Sequence, residues 1–338
     1  MNHVTKKVLI AGGTGFLGYN ATLKFLERNV EVGVFCLPSE IELGGWFPEQ
    51  VRLLETDLFR LSQAEIVKLI QPLGYDTFIY ALGPDDRVLP RRPAYAFFHE
   101  KLVEQAKKIC AAAKLSGIKR CVVLNSYYSH FDRLLGQKLS RHNPYIKVRI
   151  EQEEELCKLG ETGLFDIMFL ELPFIFGTMP QRKPLWKEHF LDHFGKFKRI
   201  YFPKCGGTAT IDVSGVAEAI VACAYNGKNL GMYPIGKLNI TYEELLGIML
   251  VATKDKRRVV MIPSLIAGIG GWFMGLGQRL KGRESGLHFC NMMTHILNKK
   301  FYIDYETFSN ELDYKSLGFT GGIDVISSIK ATMSSLTE

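Results

Sequence analysis

Val8-Leu9-Ile10-Ala11-Gly12-Gly13-Thr14-Gly15-Phe16-Leu17-Gly18 decides the fold, because an apolar run enters three glycines spaced i, i+3 and i+6. Val8, Leu9 and Ile10 read as a buried strand, and the apolar members Leu23, Phe25 and Leu26 that follow recur at helical spacing over residues 19–28. Each glycine has a separate task in a strand-turn-helix unit. Gly12 permits the tight turn, Gly15 lets the backbone approach an anion closely, and Gly18 allows the helix to pack hard on the strand. The N–H groups left unpaired at the helix start, with its positive dipole end, suit a pyrophosphate.

The same alternation continues along the chain. Strands are expected at 30–37, 51–55, 77–82, 120–124 and 166–172, with helices at 94–115 and 146–159 between them. Strands that alternate with helices require parallel pairing and right-handed crossovers, which predicts an α/β fold with a doubly wound parallel sheet. Ligands of such sheets sit at the carboxyl ends of the strands, where Asp57, Gly83, Ser126 and Pro173 fall. Beyond Gly177 the rhythm changes to loops and short apolar runs. Residues 1–175 are therefore expected to form a dinucleotide-binding domain, to which 211–236 also belongs, and 176–338 a smaller substrate-binding lobe.

Composition bounds the function. A chain of 338 residues with 47% hydrophobic content can bury an ordinary globular core. The net charge of +7 is spread thinly, with small clusters at 196–199 and 254–258, so no nucleic-acid partner is expected. The seven cysteines form no C-x-x-C pair and His189 and His193 lack a third ligand, which argues against a metal site and for a reducing compartment. With no leader-like segment before the first strand, a cytoplasmic location is expected. The uncharged stretch 259–277 falls near the lower limit of a membrane span, but Pro263 interrupts it. It reads as a strand, a proline break and an amphipathic helix whose Ile269, Trp272, Phe273, Leu276 and Leu280 cover the second lobe. Contact with a membrane surface stays open as an alternative, as does a homodimer.

The glycine loop, Asp57-Leu58, the strand ending Leu124-Asn125-Ser126, Tyr145-Ile146-Lys147-Val148-Arg149 and Leu172-Pro173-Phe174-Ile175-Phe176-Gly177 follow one another in a distinctive order. Together they resemble the extended short-chain dehydrogenase/reductase superfamily, in particular its NAD-dependent epimerase/dehydratase branch. The resemblance implies a Rossmann fold and a nicotinamide cofactor. It assigns the pyrophosphate to Gly12, Thr14, Gly15, Phe16, Leu17 and Gly18, and the adenine to Asp57 and Leu58. Ala81, Leu82 and Gly83 would line the nicotinamide-side ribose, Pro173 and Ile175 would lie near the nicotinamide, and Asn125 would join the cofactor rim.

The catalytic part of the resemblance rests on Tyr145, Arg149 and Ser126. A tyrosine beside a cation can serve as general base toward an alcohol or as general acid toward a carbonyl. Residue i+4 lies on the same helix face, where the family carries lysine and this chain carries Arg149, bulkier, planar and unable to release a proton. Ser126 would orient the substrate oxygen. Cys36 and Leu37 stand where a carboxylate or an arginine would read the cofactor's 2′ position, which leaves NAD or NADP open with a tilt to NADP; Glu40 nearby would reverse it. The loop with Arg182, Lys183 and Trp186 suits a small-molecule substrate bearing an anionic group. Thr208-Ala209-Thr210-Ile211-Asp212-Val213 departs from the segment typical of nucleotide-sugar members. The expected activity is hydride transfer between nicotinamide and a small alcohol or carbonyl, with an epimerase-like enzyme included. The alternative is an NAD(P)-binding regulatory or scaffold protein with little catalytic activity.

Overall fold

The computed structural model describes residues 5–38, 45–192, 195 and 197–335; Glu40, His193 and Phe194 lie outside them. Strand β1 (Lys7–Ala11) leads into helix α1 (Phe16–Leu26) and β2 (Glu31–Cys36), followed by β3 (Arg52–Glu55), α2 (Gln63–Ile70) and β4 (Thr77–Tyr80). Next, α3 (Ala94–Phe98) widens through a π-type turn at His99–Glu104 into α4 (Gln105–Leu115), so the single helix expected there is interrupted. β5 (Arg120–Ser126), α5 (Tyr127–Leu134), α6 (Pro144–Cys157) and β6 (Asp166–Leu172) complete this half. The second half holds β7 (Phe174–Phe176), β8 (Arg199–Pro203), β9 (Gly207–Asp212), α7 (Val213–Asn226), β10 (Met232–Pro234), β11 (Leu238–Thr241), α8 (Tyr242–Ala252), β12 (Arg258–Ile262), α9 (Ser264–Leu280), α10 (Phe289–Asn291) and β13 (Lys300–Phe301).

The main sheet is parallel and runs β10-β6-β5-β4-β1-β2-β3, which confirms the doubly wound α/β architecture. Side chains alternate across it. Val8 and Ile10 pack in the layer that holds Phe25, while Leu9 and Ala11 face the layer of Ile66 and Ile109, all fully buried. A strand buried on both faces needs apolar residues at every position, which is why residues 8–11 show no polar alternation. Leu9→Ala would cost about 2–5 kcal/mol by the cavity it leaves. The chain order reverses at β1, whose neighbours are β2 and β4, and this opens the crevice at the carboxyl ends of β1 and β4.

The remaining strands form two small sheets, one joining β11, β9 and β13 with β7 beside β9, the other pairing β8 with β12. The strand, proline and helix expected over 259–280 are present as β12, Pro263 and α9. The packing of α9 corrects the sequence reading. Its large residues do not cover the lobe; Gly268 and Gly271 do. A Cβ on Gly268 would come within 2.6 Å of Thr294, and one on Gly271 within 2.7 Å of the Phe289 carbonyl oxygen. Contact this close requires the small residues to face inward, which turns Ile269, Trp272, Phe273 and Leu280 to the exterior.

Candidate active site

The glycine loop forms a cradle. Gly12 has a φ of +86°, and a Cβ there would lie 2.6 Å from the Ala81 carbonyl oxygen, so the turn after β1 and the end of β4 touch. At Gly18 a Cβ would meet the Gly12 carbonyl oxygen at 2.2 Å, which is how α1 approaches β1. Gly15 is the N-cap of α1 and makes no side-chain cap, and the first turn carries no acidic residue. Among the described residues its N–H groups thus meet neither a capping side chain nor a first-turn carboxylate, the condition in which a helix start accepts a phosphate. Thr14 is buried, whereas Phe16 and Leu17 are half-buried. Gly177 brings the end of β7 to the same loop, with a Cβ position 3.5 Å from Phe16.

Other predicted residues take positions around this cradle. Ala81 continues β4 by donating its N–H to Ala11, and Gly83 stands exposed with a φ of +115°. Leu82 reaches the Gly12 turn with its side chain. Asp57 accepts from the Phe59 N–H at 3.0 Å and pairs with Arg60 at 3.2 Å. Leu58 points its side chain into the core. Pro173 is buried, while Ile175 pairs with Ile211 and receives the Trp186 indole N–H on its carbonyl at 2.8 Å. Trp186 stacks on Phe176, so it anchors the loop that follows β7; Arg182 and Lys183 remain exposed.

Tyr145 and Arg149 meet on α6. Pro144 starts the helix, which places Tyr145 one turn before Arg149. The Arg149 Nε–H donates to the Tyr145 hydroxyl at 3.0 Å, and Nη1 donates to the Leu124 carbonyl at 3.3 Å and to Gln152 at 2.9 Å. Both residues are buried. Arg149 is therefore held across the end of β5. Lys147 turns away, its ammonium over the Tyr95 ring. Asn125 is spent on the fold: its amide donates to the Arg149 carbonyl at 3.1 Å and its oxygen accepts from the Ser126 N–H. Ser126 caps α5, its hydroxyl accepting from the Tyr128 N–H at 3.3 Å, and its own proton remains to donate.

Burial raises Tyr145 to about 12, and although Arg149 draws it down, Asp86 and Asp85 push it up. The cation acts in the expected direction, but desolvation and two carboxylates outweigh it. Tyr145 is consequently a phenol at neutral pH.

Asp86 was not singled out in the sequence. Its carboxyl is pushed up to about 6 by burial and by Asp85, and its charge acts on Tyr145, Tyr127 and Tyr128. The Gly83-Pro84-Asp85-Asp86 turn after β4 was the available signal, since it follows a strand end at the crevice. Glu55 was missed too. It ends β3 in register with Cys36, and its charge raises the Cys36 thiol, whose pKa burial raises most. Glu153 and Glu171 are buried beside Arg133, and Glu171 sits in register with Asn125. Among the described residues no cluster of metal-ligating side chains occurs, and no helix is long and apolar enough to cross a membrane.

No family model matches this chain, and no curated protein sequence does. Solved structures do match. The crystal structure of gox2253 aligns over 97% of both chains at 15% identity with a TM-score of 0.74. UDP-glucose 4-epimerase from Thermotoga maritima, solved with UDP-glucose, aligns over 98% of both chains at 13% identity and a TM-score of 0.68. UDP-glucose 4-epimerase from Thermus thermophilus, solved with NAD, aligns over 97% of both at 14% identity and 0.63. At identities this low, the TM-scores and coverage establish a shared fold over nearly the whole chain.

Proposed function

We propose that this protein is a nicotinamide-dinucleotide-dependent oxidoreductase or epimerase-like enzyme of the extended short-chain dehydrogenase/reductase type. The observation that carries the reading is the buried Tyr145–Arg149 hydrogen bond at 3.0 Å, set at the strand ends of a sheet whose glycine cradle is shaped for a pyrophosphate. One neighbour in fold is an epimerase solved with NAD, which supports the cofactor class, and another is an epimerase solved with UDP-glucose, which suits an anionic small-molecule substrate.

The residues present fit a dinucleotide. Gly12, Thr14, Gly15, Phe16, Leu17 and Gly18 would hold the pyrophosphate through backbone N–H groups, and at Gly15 a Cβ would meet only the Gly12 carbonyl oxygen, at 3.1 Å, so the absence of a side chain there leaves the start of α1 open to the phosphates. Asp57 with the backbone of Leu58 would border the adenine, Ala81, Leu82 and Gly83 the ribose, and Pro173 and Ile175 the nicotinamide. Glu55 beside Cys36 puts a negative charge near the 2′ position, which favours a ribose hydroxyl over a phosphate and thus NAD over NADP. The cofactor, when bound, supplies or accepts the hydride.

The chain's own residues manage the proton. Tyr145 holds its proton at neutral pH and gives it to a substrate carbonyl oxygen; in the opposite direction it must first be brought down toward the phenolate. Arg149 orients the phenol and stabilises its anion. Ser126 donates its hydroxyl proton to the same substrate oxygen. The substrate class is a small alcohol or carbonyl compound, with Arg182 and Lys183 available to an anionic group. Tyr145→Phe tests the assignment: turnover should fall by about 10²–10⁴-fold with dinucleotide binding retained. Full turnover in that variant would refute it.

The engagement of three Arg149 hydrogen bonds within the fold favours a second reading, a dinucleotide-binding protein with little turnover. Tight dinucleotide binding without oxidation or reduction across a panel of alcohols and carbonyls would select it.

A further inference from the structure

Helix α9 is built inside out. Residues 264–280 carry no acidic side chain, and Gly268 and Gly271 form the face that packs on the protein. Leu265, Ile266, Ile269, Trp272, Phe273 and Leu280 fall on one stripe about 120° wide at 100° per residue. That stripe faces outward: Leu265 is 76% exposed, Trp272 54% and Leu280 80%. A surface helix of a soluble domain normally does the reverse, and contiguous exposed patches of large apolar side chains mark interaction sites.

The charges around the stripe identify the partner. Lys256 and Arg258 precede the helix, Arg279 and Lys281 end it, and all four are exposed. In the adjoining parallel pair Arg258 lies in register with Arg199, and the exposed Tyr201 and Phe197 extend the apolar surface from that end. The acidic residues nearest the helix in the sequence are engaged, Asp255 with Arg257 and Glu284 with the Ala94 N–H and His288. An apolar centre with cations at both ends matches a bilayer carrying anionic headgroups, where apolar side chains enter the acyl boundary and Lys and Arg remain among the phosphates. It does not match a second copy, because a two-fold pairing through α9 would set the cationic end of one helix against the cationic end of the other.

We infer that α9 is an interfacial helix that docks this protein on the surface of anionic membranes, lying in the headgroup plane without spanning it. The segment leaving α9 reaches the candidate active site directly, since the Gly286 carbonyl accepts the Tyr145 N–H at 3.0 Å. Docking therefore sets the Tyr145 region close to the membrane surface.

Vesicle flotation of the full chain tests this. Phosphatidylcholine vesicles with phosphatidylserine should carry the protein upward, pure phosphatidylcholine much less, and added salt should weaken binding. Brominated acyl chains should quench tryptophan fluorescence in the native protein, and Trp272→Leu should abolish that quenching while flotation persists. The double variant Trp272→Glu, Phe273→Glu should lose binding by about tenfold or more with an unchanged thermal unfolding curve, because both side chains are solvent-exposed. Absence of flotation, equal binding to neutral vesicles, or self-association abolished by the same double substitution would each overturn the proposal.

Discussion

The Nε–H of Arg149 donates to the hydroxyl of Tyr145 across 3.0 Å, one helical turn along α6. The bond fixes both partners, because the guanidinium is anchored on the Leu124 carbonyl and Gln152, and the phenol ring stands edge-on to Phe98. Of the two, only the phenol can release a proton, since a guanidinium stays charged throughout the useful pH range.

Removing that cation should make Tyr145 harder to ionise. Arg149→Met is expected to move the alkaline limb of the activity profile, or the phenolate absorbance assigned by comparison with Tyr145→Phe, to higher pH. Arg149→Lys should restore part of the effect. An unmoved phenolate titration in Arg149→Met would show that the pair is purely structural.

Asp86 acts on Tyr145 with the opposite sign. Its carboxyl, raised to about 6, is charged above that pH and then disfavours the phenolate. Asp86→Asn should therefore lower the Tyr145 pKa and ease proton removal, and it should erase any activity change between pH 5 and 7 that arises from Asp86 itself. The phenolate titration and the pH dependence of kcat/KM check both statements.

How much of this was legible beforehand differs between elements. The glycine loop and β1 were readable because strand, turn and helix start each demand a residue type that Val8, Leu9, Ile10, Gly12, Gly15 and Gly18 supply. Tyr145 and Arg149 were readable as a pair because the family resemblance points to Tyr145 and helical spacing puts residue i+4 on the same face. The net effect on Tyr145 was not, since it depends on burial and on Asp86, which arrives from a loop far away in the chain. The orientation of α9 was not either. Periodicity showed which large residues share a face, but whether that face turns inward depends on what the glycines touch, and their partners Phe289 and Thr294 lie in another segment. Asn125 shows a third kind of gap, a residue placed at the site whose hydrogen bonds the fold consumes.

Glu153 and Glu171 predict a stability that falls as pH rises from acid through neutral. Both are raised above the ordinary value of 4.5 by burial; Glu171 adds repulsion on Glu153, and Arg133 offsets it only in part. Carboxyls whose folded pKa exceeds the unfolded one stabilise most at low pH, and that contribution is lost as pH rises through the folded values. Thermal unfolding should thus shift downward between about pH 5 and pH 8, and Glu153→Gln, which keeps the Arg133–Glu171 ion pair, should flatten the decline. Equal slopes in the native chain and the variant would remove the pair as the cause.

Gly15→Ala separates the cradle from the fold. Gly15 has an ordinary φ of −80°, and a Cβ there would lie 3.1 Å from the Gly12 carbonyl oxygen, a contact met by small movement. The variant should unfold within a few degrees of the native chain yet bind dinucleotide about tenfold or more weakly, because the methyl group occupies the approach of the phosphates. Gly18→Ala, at 2.2 Å from the same oxygen, should instead destabilise the whole domain.

Isothermal titration of the intact chain with NAD, NADH, NADP and NADPH tests the central claim most directly. Saturable binding of one dinucleotide per chain is predicted, with NAD and NADH favoured over their 2′-phosphorylated forms. Folded protein that binds none of the four, even at millimolar ligand, would contradict the account.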